Sequence, residues 1–404
     1  MSIKKIFNDP VHGFITINNP LILSVLNHAT FQRLRRIAQL GLTNYVYPGA
    51  IHTRFHHALG AYHLMRQAIS SLKEKGILIT EEEELGACIA SLMHDIGHGP
   101  FSHALENTII KGVHHEELSL RFMQQFNQEF HGKLDTAIAI FKGNYPKKFL
   151  HSLISGQLDV DRLDYLTRDS FFTGVNEGVI SHDRILNMLD VDNDTLVVEE
   201  KGIYSVEKFL ISRRLMYWQV YLHKTVLCAE MMLIKVMERA KYLAKNNIEL
   251  PCSKALRFFL YQDISPELFM QNDVILQNFA KLDDFDILSA LKFWSEEKDF
   301  ILSTIATAIL NRNLYKVKVQ EVPFKNLNDL QEQYSSQYKC SIEEAKYLVF
   351  DLKISHTAYD SDSDSIKIKN KNNVVVDFFK ASDMFSKKEL SQVVTKYFLF
   401  EMKS

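Results

Sequence analysis

Histidines are distributed unevenly along this chain of 404 residues, which contains 16 of them. Nine fall in one short stretch: His52, His56, His57, His63, His94, His98, His103, His114 and His115. One of these is followed directly by an acid, in the pair His94-Asp95. Imidazole nitrogen and carboxylate oxygen together form a donor set that binds Mn, Fe, Ni or Zn, and Mg less readily. The cluster therefore predicts a divalent metal site.

The pair His94-Asp95 needs a particular local geometry to bind one metal ion. Adjacent residues do not share a face in the middle of a helix, but they can at a helix end, and Gly97 predicts such an end. An earlier histidine and a later aspartate would complete four protein ligands, and the sequence offers His57 in HTRFHH and Asp161 in DVDRLDYLTRD. The predicted ligand set is His57, His94, Asp95 and Asp161, with Mg, Mn, Fe, Ni or Zn as the ion.

Helices with apolar residues at helical spacing are predicted to position these ligands. The chain has only 15 glycines and 8 prolines, which favours long helices with few tight turns. The predicted helices cover residues 21–39, 54–73, 81–97, 115–130, 133–142, 147–155, 159–168, 205–246, 254–260, 266–281 and 284–311. The predicted strands cover residues 14–17, 315–319, 347–353, 366–368 and 374–379, with a loop at 360–365. The expected fold is mainly α, with an all-helical body at residues 1–249 and a smaller mixed α/β lobe at residues 250–404.

Composition and charge argue against several classes of function. Charged residues make up 24% of the chain and the formal net charge is −2, so nucleic-acid binding remains open only through a local basic pocket. The four cysteines are scattered and predict neither a disulfide framework nor a zinc finger. The first residues do not resemble a signal peptide, and no run of about 18 apolar residues occurs. A cytoplasmic protein without membrane segments is expected.

Several motifs, taken in order, resemble those of a known enzyme family. They are FNDPVHG, FQRLRRIAQLG, YPGAIHTRFHHALG, MHDIGHGPFSH and DVDRLDYLTRD, followed by YLHK and by IKIK in the C-terminal lobe. The chain thereby resembles the HD-domain deoxynucleoside triphosphate (dNTP) triphosphohydrolases, which include bacterial dNTPases and dGTPases and the vertebrate enzyme that joins a sterile-alpha-motif to an HD domain. The resemblance extends over nearly the whole chain. It implies metal-dependent hydrolysis of dNTPs to deoxynucleoside and inorganic triphosphate.

The resemblance assigns catalytic roles around the metal pair. The four predicted ligands match the metal ligands of the family. His98 and His115 match residues beside the α-phosphate, and Glu106 matches an acid that orients a neighbouring histidine, although the family normally has aspartate there. The proton for the departing 5′ oxygen comes from His103 or His115, and the sequence does not choose between them. The other histidines of the cluster have no matching role and are expected to be structural: His52, His56, His63 and His114.

The resemblance also implies the residues that bind substrate: Gln39, Arg54, Arg162, Tyr165, Asp169, Arg213 and Tyr221. The three arginines neutralise the triphosphate, and Arg162 stands where relatives have lysine. Tyr165 follows a metal ligand by four residues and precedes Asp169 by four, so one helical stripe carries metal, phosphate and sugar contacts. Gln39 and Asp169 match residues that hold the 3′-hydroxyl. Tyr221 matches a residue beside the sugar and base, where its ring would exclude a 2′-hydroxyl.

Relatives in the family are commonly nucleotide-activated homotetramers, with activators bound between subunits. The matching residues of one such site are Lys5, Ile6, Gln32 and Arg35. The position of a guanine-reading aspartate in the vertebrate enzyme is occupied by Asn27. An amide does not accept two N–H bonds from guanine as a carboxylate does, so a different dNTP such as dATP, or no activator, is expected. The resemblance implies a homo-oligomer, either a tetramer or a dimer.

Two other functions remain open at this point. One is an HD-type nucleotidase or phosphodiesterase, which the three arginines disfavour because a monophosphate needs fewer cations. The other is a catalytically silent nucleotide sensor or single-strand nucleic-acid binder built on the same fold. The complete metal set disfavours a silent protein, and the net charge of −2 gives nucleic-acid binding no general support.

Overall fold

The computed structural model describes residues 4–357, 365–385 and 393–403, so most of the loop predicted at 360–365 lies outside the described residues. The helices are α1 (Pro20–Asn27), α2 (Ala29–Gln32), α3 (Arg54–Glu74), α4 (Glu81–Met93), α5 (Glu106–Ile109), α6 (His115–Glu129), α7 (Asp135–Phe141), α8 (Lys148–Ser152), α9 (Val160–Thr173), α10 (His182–Met188), α11 (Ile203–Met216), α12 (Lys224–Lys245), α13 (Lys254–Tyr261), α14 (Pro266–Gln271), α15 (Asp273–Phe279), α16 (Asp284–Trp294), α17 (Phe300–Leu310), α18 (Leu327–Tyr338), α19 (Ile342–Leu348) and α20 (Phe378–Ala381). The strands are β1 (Lys5–Asp9), β2 (Gly13–Ile17), β3 (Leu189–Asp192), β4 (Thr195–Glu199), β5 (Lys316–Gln320), β6 (Val349–Thr357), β7 (Lys367–Lys369), β8 (Val375–Asp377) and β9 (Val393–Glu401).

The fold is mainly α, as predicted, and the elements from α3 to α9 are all helical. The start of α4 shows how the sequence defines these helices. Thr80 caps it by accepting the N–H of Glu83 at 3.2 Å, and the Glu83 carboxylate accepts the N–H of Thr80 at 2.8 Å. The helix then ends at Met93, close to the end predicted at Gly97. This ending places the pair His94-Asp95 in a turn rather than on a helix face.

Two glycines allow helices to approach closely around that turn. A Cβ atom at Gly60 in α3 would overlap the buried carboxylate of Asp164 in α9. A Cβ atom at Gly97 would overlap backbone atoms of His115 and Ser119 in the first turns of α6. Because backbone atoms move only when the whole helix shifts, Gly97 determines how closely α6 lies against the turn after α4.

We expect Gly97→Ala to lower the free energy of unfolding by about 1–3 kcal/mol, because the added methyl group forces α6 away from the turn. Thermal denaturation measures this effect as a lower Tm. Gly99→Ala is the matched control, since a Cβ atom there would meet only the ring edge of Phe279, at 3.1 Å. A Tm of Gly97→Ala equal to that of the wild type would contradict the close approach.

The single long helix predicted over residues 205–246 is wrong. A π-helical turn at Tyr217–Tyr221 separates α11 from α12. His223 then caps α12, with its ring nitrogen accepting the N–H of Thr225 at 3.2 Å. Such turns are rare and are found frequently at functional sites. Three further predicted helices are also divided into shorter elements, those at residues 21–39, 266–281 and 284–311.

The strands in the described ranges form three small sheets, with the orders β1-β2, β3-β4-β7-β8 and β5-β9-β6. The last of these belongs to the C-terminal α/β region, as predicted. The four-stranded sheet combines strands from both sides of the domain boundary predicted at residue 249, through the parallel pair β4–β7. Because this sheet joins the two predicted parts of the chain, the boundary at residue 249 stays a prediction. None of the helices in the described ranges has both the length and the apolar character required to cross a membrane.

Candidate active site

The four predicted metal ligands lie together in the structure. His57 comes from α3, His94 and Asp95 follow α4, and Asp161 lies in the first turn of α9. His57 Nε2 is 3.0 Å from Asp161 Oδ1 and 3.3 Å from His94 Nε2. His94 Nε2 is 3.5 Å from Asp161 Oδ1, and Asp95 Oδ2 is 3.6 Å from His57 Nε2. His57, His94 and Asp161 thus each offer one ligand atom to a common point, whereas Asp95 faces the two histidines with different oxygens.

Hydrogen bonds on the far side of each imidazole orient the two histidines. His57 Nδ1 is 2.8 Å from Asp164 Oδ2, and His94 Nδ1 is 2.7 Å from the backbone oxygen of Ser91. A proton on each Nδ1 satisfies these oxygens and leaves each Nε2 with a free lone pair, which is the arrangement of metal-binding histidines. The residues present therefore fit a divalent metal ion.

The electrostatics of this group favour a cation at its centre. Burial opposes a charge on His57, but hydrogen bonds to Asp161 and Asp164 raise the pKa of this histidine to about 10. Burial also opposes ionisation of Asp161, whereas hydrogen bonds from His57 and His94 hold the pKa of this carboxyl well below its usual range. A metal ion would take the place of the proton shared among these groups.

A second group of residues, beside the ligands, contains those predicted to be catalytic. The ring centroids of His98 and His115 are 3.9 Å apart, and that of His103 is 5.0 Å from His98. Glu106 contacts two of these rings, with Oε1 3.0 Å from His115 Nδ1 and Oε2 3.3 Å from His103 Nδ1. Burial opposes ionisation of Glu106, but hydrogen bonds from both rings hold its pKa well below its usual range. The glutamate, one carbon longer than aspartate, therefore orients both candidate proton donors.

His98 differs from its two neighbours in exposure. Its side chain is 2% exposed, against 69% for His103 and 22% for His115. Burial, together with the nearby charge of Arg54, holds the pKa of His98 well below its usual value. His98 is therefore neutral at pH 7, which leaves His103 and His115 as the candidates for proton transfer.

One cavity, whose empty volume of about 1250 Å³ includes solvent at its open side, is lined by Asp95 and Asp161 of the predicted metal ligands, by the histidine group and by most of the predicted substrate residues. The predicted substrate residues that line it are Gln39, Arg54, Arg162, Tyr165, Asp169 and Tyr221. The Tyr221 hydroxyl donates to Asp169 Oδ2 at 2.8 Å, and His52 Nε2 is 2.7 Å from Asp169 Oδ1. Asp169 is thus fixed from two sides. One of its partners, His52, was expected only to be structural.

The three arginines predicted to bind phosphate differ in location. Arg54 lines the cavity and donates to Asp95, a predicted metal ligand. Arg162 also lines the cavity. Arg213 lies outside the lining, and its Nη1 donates to Gln157 Oε1 at 3.0 Å. Two arginines therefore face the cavity, and Arg213 would have to leave its present partner to contact a ligand there.

The four residues predicted to form an activator site lie near the surface at the start of the chain. Lys5 and Ile6 belong to β1, and Ile6 is 49% exposed. Arg35 donates from Nε to Gln32 Oε1 at 2.8 Å, and its guanidinium carbon lies 3.6 Å from the centroid of the Phe55 ring. The role of these residues in activation stays a prediction.

Comparison with known proteins identifies the family. The HD domain matches residues 54–169, and the HD associated region matches residues 180–251. The uncharacterized protein YwfO of Bacillus subtilis is 34% identical over 359 residues, which cover 87% of this chain and 80% of that protein. The crystal structure of a phosphohydrolase from Bacteroides thetaiotaomicron is 51% identical with a TM-score of 0.96, and the match covers 99% of this chain and 100% of that chain. The chain belongs to the HD-domain phosphohydrolase family.

This HD-domain phosphohydrolase also has relatives that are named for an activity. The deoxynucleoside triphosphate triphosphohydrolase SAMHD1 of Bos taurus is 26% identical over 400 residues, which cover 86% of this chain and 65% of that protein. The SAMHD1 homolog of Dictyostelium discoideum is 31% identical over 267 residues, which cover 61% of this chain and 51% of that protein. The match therefore spans about half to two thirds of the length of these two relatives.

Sequence reasoning missed the buried network that supports the predicted metal ligands of the phosphohydrolase. Asp164, which holds the ligand histidine of α3, is also 2.6 Å from His12 Nε2 and accepts from Arg168 Nε at 2.9 Å. Arg168 in turn donates to Asp9 at 2.8 Å. The available signal is the spacing on α9, where Asp164 follows Asp161 by three residues and precedes Arg168 by four.

Proposed function

We propose that this phosphohydrolase converts dNTPs to deoxynucleoside and inorganic triphosphate in a reaction that depends on a divalent metal ion. The observation that carries the proposal is the cavity, whose lining combines metal ligands, the histidine group and two arginines with Asp169 and Tyr221. Phosphoryl transfer depends on positioning and on neutralising the charge of the phosphates, for which the two arginines are suited. The relationship to SAMHD1 supports the same substrate class.

The metal ion would be held by His57, His94, Asp95 and Asp161. Such an ion, when bound, polarises a phosphoryl oxygen and lowers the pKa of a bound water molecule. The side chains around the proposed ligands determine where in the cavity this chemistry occurs. Arg54 donates to Asp95, so it orients one ligand and also places a positive charge on the cavity wall. This position suits an oxygen of the α-phosphate.

A proton has to reach the leaving group in the proposed reaction. The oxygen of water adds to the α-phosphorus, and the bond from this phosphorus to the 5′ oxygen breaks. His103 and His115 line the cavity and both contact Glu106. We assign the proton donor to this pair, with Glu106 as the residue that orients it. The neutral ring of His98 is suited to donate a hydrogen bond to a phosphate oxygen.

Selection of deoxyribose is proposed to depend on the ring of Tyr221. Tyr221→Ala is expected to raise the ratio of kcat/KM for ATP to kcat/KM for dATP by about tenfold, because removal of the ring makes room for a 2′-hydroxyl. Tyr221→Phe is the matched control, since it keeps the ring and loses only the hydrogen bond to Asp169. Chromatography of adenosine and deoxyadenosine measures both rates. An unchanged ratio in Tyr221→Ala would assign the selection to another residue.

Product analysis tests the proposed reaction. Purified protein is incubated with each of the four dNTPs and Mn²⁺ or Mg²⁺, and the products are separated by ion-exchange chromatography. The proposal predicts deoxynucleoside and tripolyphosphate in equal amounts. Release of orthophosphate would indicate a nucleotidase instead, and hydrolysis of cyclic nucleotides alone would indicate a phosphodiesterase. Binding of dNTPs without any product would indicate a silent sensor.

We also propose that a nucleotide activates the enzyme between subunits of a homo-oligomer, at a site formed by Lys5, Ile6, Gln32 and Arg35. Asn27 favours a base other than guanine, so dATP is the candidate activator. Rates with mixed dNTPs are then expected to exceed the sum of the rates with single dNTPs. Light scattering is expected to show a dimer or tetramer. Additive rates and a monomer would contradict this proposal.

A further inference from the structure

Three histidines line the cavity beside the predicted metal ligand Asp95: His98, His103 and His115. Each of the three rings offers one nitrogen, and these three atoms lie within 4.8 Å of one another. The rings come from two parts of the chain, since His98 and His103 follow α4 and His115 begins α6. This group consists of imidazoles alone, so it offers a metal ion a different set of donors from the predicted ligands with their two carboxylates.

Glu106 determines which nitrogen is available in two of these rings. Its Oε1 is 3.0 Å from His115 Nδ1, and its Oε2 is 3.3 Å from His103 Nδ1. A proton on each Nδ1 satisfies the carboxylate and leaves each Nε2 with a free lone pair. A carboxylate behind the imidazole is a common support of zinc-binding histidines. Nε2 is therefore the nitrogen that His103 and His115 have available for a metal ion.

The nitrogens of His98 are also available to a ligand. The side chain is only 2% exposed, and neither ring nitrogen forms a hydrogen bond within the described part of the chain. Its Nδ1 lies 3.4 Å from Asp95 Oδ1, and its ring centroid is 3.9 Å from that of His115. A buried polar group without a partner lowers stability, and a ligand that bonds to it removes this cost. His98 is thus a third imidazole donor beside the other two.

The donor types favour zinc over the ions that prefer oxygen ligands. Three imidazole nitrogens form the protein part of zinc sites that keep a fourth position open. Mg²⁺ and Mn²⁺ prefer carboxylate, carbonyl and water oxygens. Zinc binds imidazole nitrogen at about 2.0–2.1 Å, so the three rings have to come slightly closer together than they are. His103 has room for this adjustment, because its side chain is 69% exposed.

We propose that His98, His103 and His115 bind one Zn²⁺ ion, at a site separate from that of the proposed catalytic ion, and that this Zn²⁺ inhibits the enzyme. The inhibition rests on the proposed function. Because Glu106 holds Nδ1 of both candidate proton donors, the proton for the leaving group has to come from Nε2. A ring that binds zinc through Nε2 has no proton to give there. Mn²⁺ leaves the site free, because it is the weakest binder of the first-row divalent ions at nitrogen ligands.

Calorimetric titration of metal-depleted protein with Zn²⁺ tests the site. The wild type is expected to bind one Zn²⁺ more per chain than His103→Asn, a variant that should fold because the His103 side chain is exposed. His115→Asn is expected to lose the same ion. His114→Asn is the matched control, since His114 is 67% exposed and lies 3.8 Å from Glu106 Oε1 without belonging to the group. Equal numbers of ions in the wild type and His103→Asn, or the same loss in His114→Asn, would overturn the site.

Kinetics with a dNTP and excess Mn²⁺ test the inhibition. Added Zn²⁺ is expected to lower kcat of the wild type at least about tenfold and to change the residual kcat of His103→Asn less than about threefold. Equal inhibition of both proteins would indicate that Zn²⁺ displaces Mn²⁺ from the catalytic ligands, and would overturn the inhibitory role. Absence of deoxynucleoside with the wild type would remove the proposed function and the inhibition, whereas the number of bound Zn²⁺ ions would still decide the site.

Discussion

Asp95→Asn is expected to lower kcat by at least about 1000-fold, which corresponds to about 4 kcal/mol of activation free energy. Asp95 is one of four proposed ligands, and its Oδ2 lies 3.6 Å from His57 Nε2. The amide of asparagine carries no charge to balance a divalent cation, so the variant should bind Mn²⁺ weakly and lose its activated water. Steady-state kinetics at saturating Mn²⁺ measure the loss, and thermal denaturation checks the fold.

Asparagine is chosen at this position because Asp95 binds the buried guanidinium of Arg54. Alanine would leave that charge without a partner, at a cost of about 3–5 kcal/mol in folding free energy. Asp161→Asn is the matched second variant, since Asp161 is a proposed ligand that does not bind Arg54. If both variants keep more than about a tenth of wild-type turnover with an unchanged Tm, the assignment of these ligands is wrong.

Glu106→Gln is expected to lower kcat about 100-fold while KM changes less than about threefold. The Glu106 carboxylate uses one oxygen for His115, at 3.0 Å, and the other for His103, at 3.3 Å. Glutamine offers one acceptor oxygen, so it does not accept hydrogen bonds from both imidazole rings. The proton donor then loses its orientation, whereas the groups that bind phosphate are unchanged. Separate measurement of kcat and KM for a dNTP checks this expectation.

Glu117→Gln is the control for this variant, because Glu117 lies exposed in the first turn of α6, next to the same histidine group. It should leave both kinetic constants at wild-type values. His103→Asn and His115→Asn then identify the proton donor as the residue whose loss lowers kcat more. A fall in kcat of less than about threefold in Glu106→Gln would show that neither histidine depends on this carboxylate.

Apolar periodicity was sufficient to predict most of the long helices of the body. The helix that precedes the metal pair begins where Thr80 and Glu83 form a capping box and ends near the expected residue. The same reasoning failed at Tyr217–Tyr221, because no glycine or proline interrupts the helical pattern there. The interruption accompanies a tertiary contact, the bond from Tyr221 to Asp169 at 2.8 Å, which local sequence does not encode.

The short strands were harder to predict for a related reason. β9 pairs with both β5 and β6, and β4 pairs with β7, so these strands depend on partners far away in the chain. A segment of four or five residues, such as β3 or β4, carries too few positions for an alternating pattern to be distinguished from a loop. Pairing with distant partners, which the local sequence pattern does not reveal, therefore makes these segments strands.

In the candidate site, too, the sequence predicted some features and not others. The types and order of His57, His94, Asp95 and Asp161 indicated a metal site, and the structure places these side chains close together, while their role as ligands stays a prediction. The double contact of Glu106 and the support from Asp164 were not predictable. Each of these depends on distances between helices, which residue spacing along one helix does not contain.

The central claim is that the side chains of His57, His94, Asp95 and Asp161 bind one divalent cation. A calorimetric titration, in which Mn²⁺ is added to metal-depleted protein, tests it most directly. We expect one Mn²⁺ per chain for the wild type and at least about tenfold weaker binding for Asp161→Asn. Failure of the wild type to bind Mn²⁺, or equal affinity in wild type and variant, would contradict it.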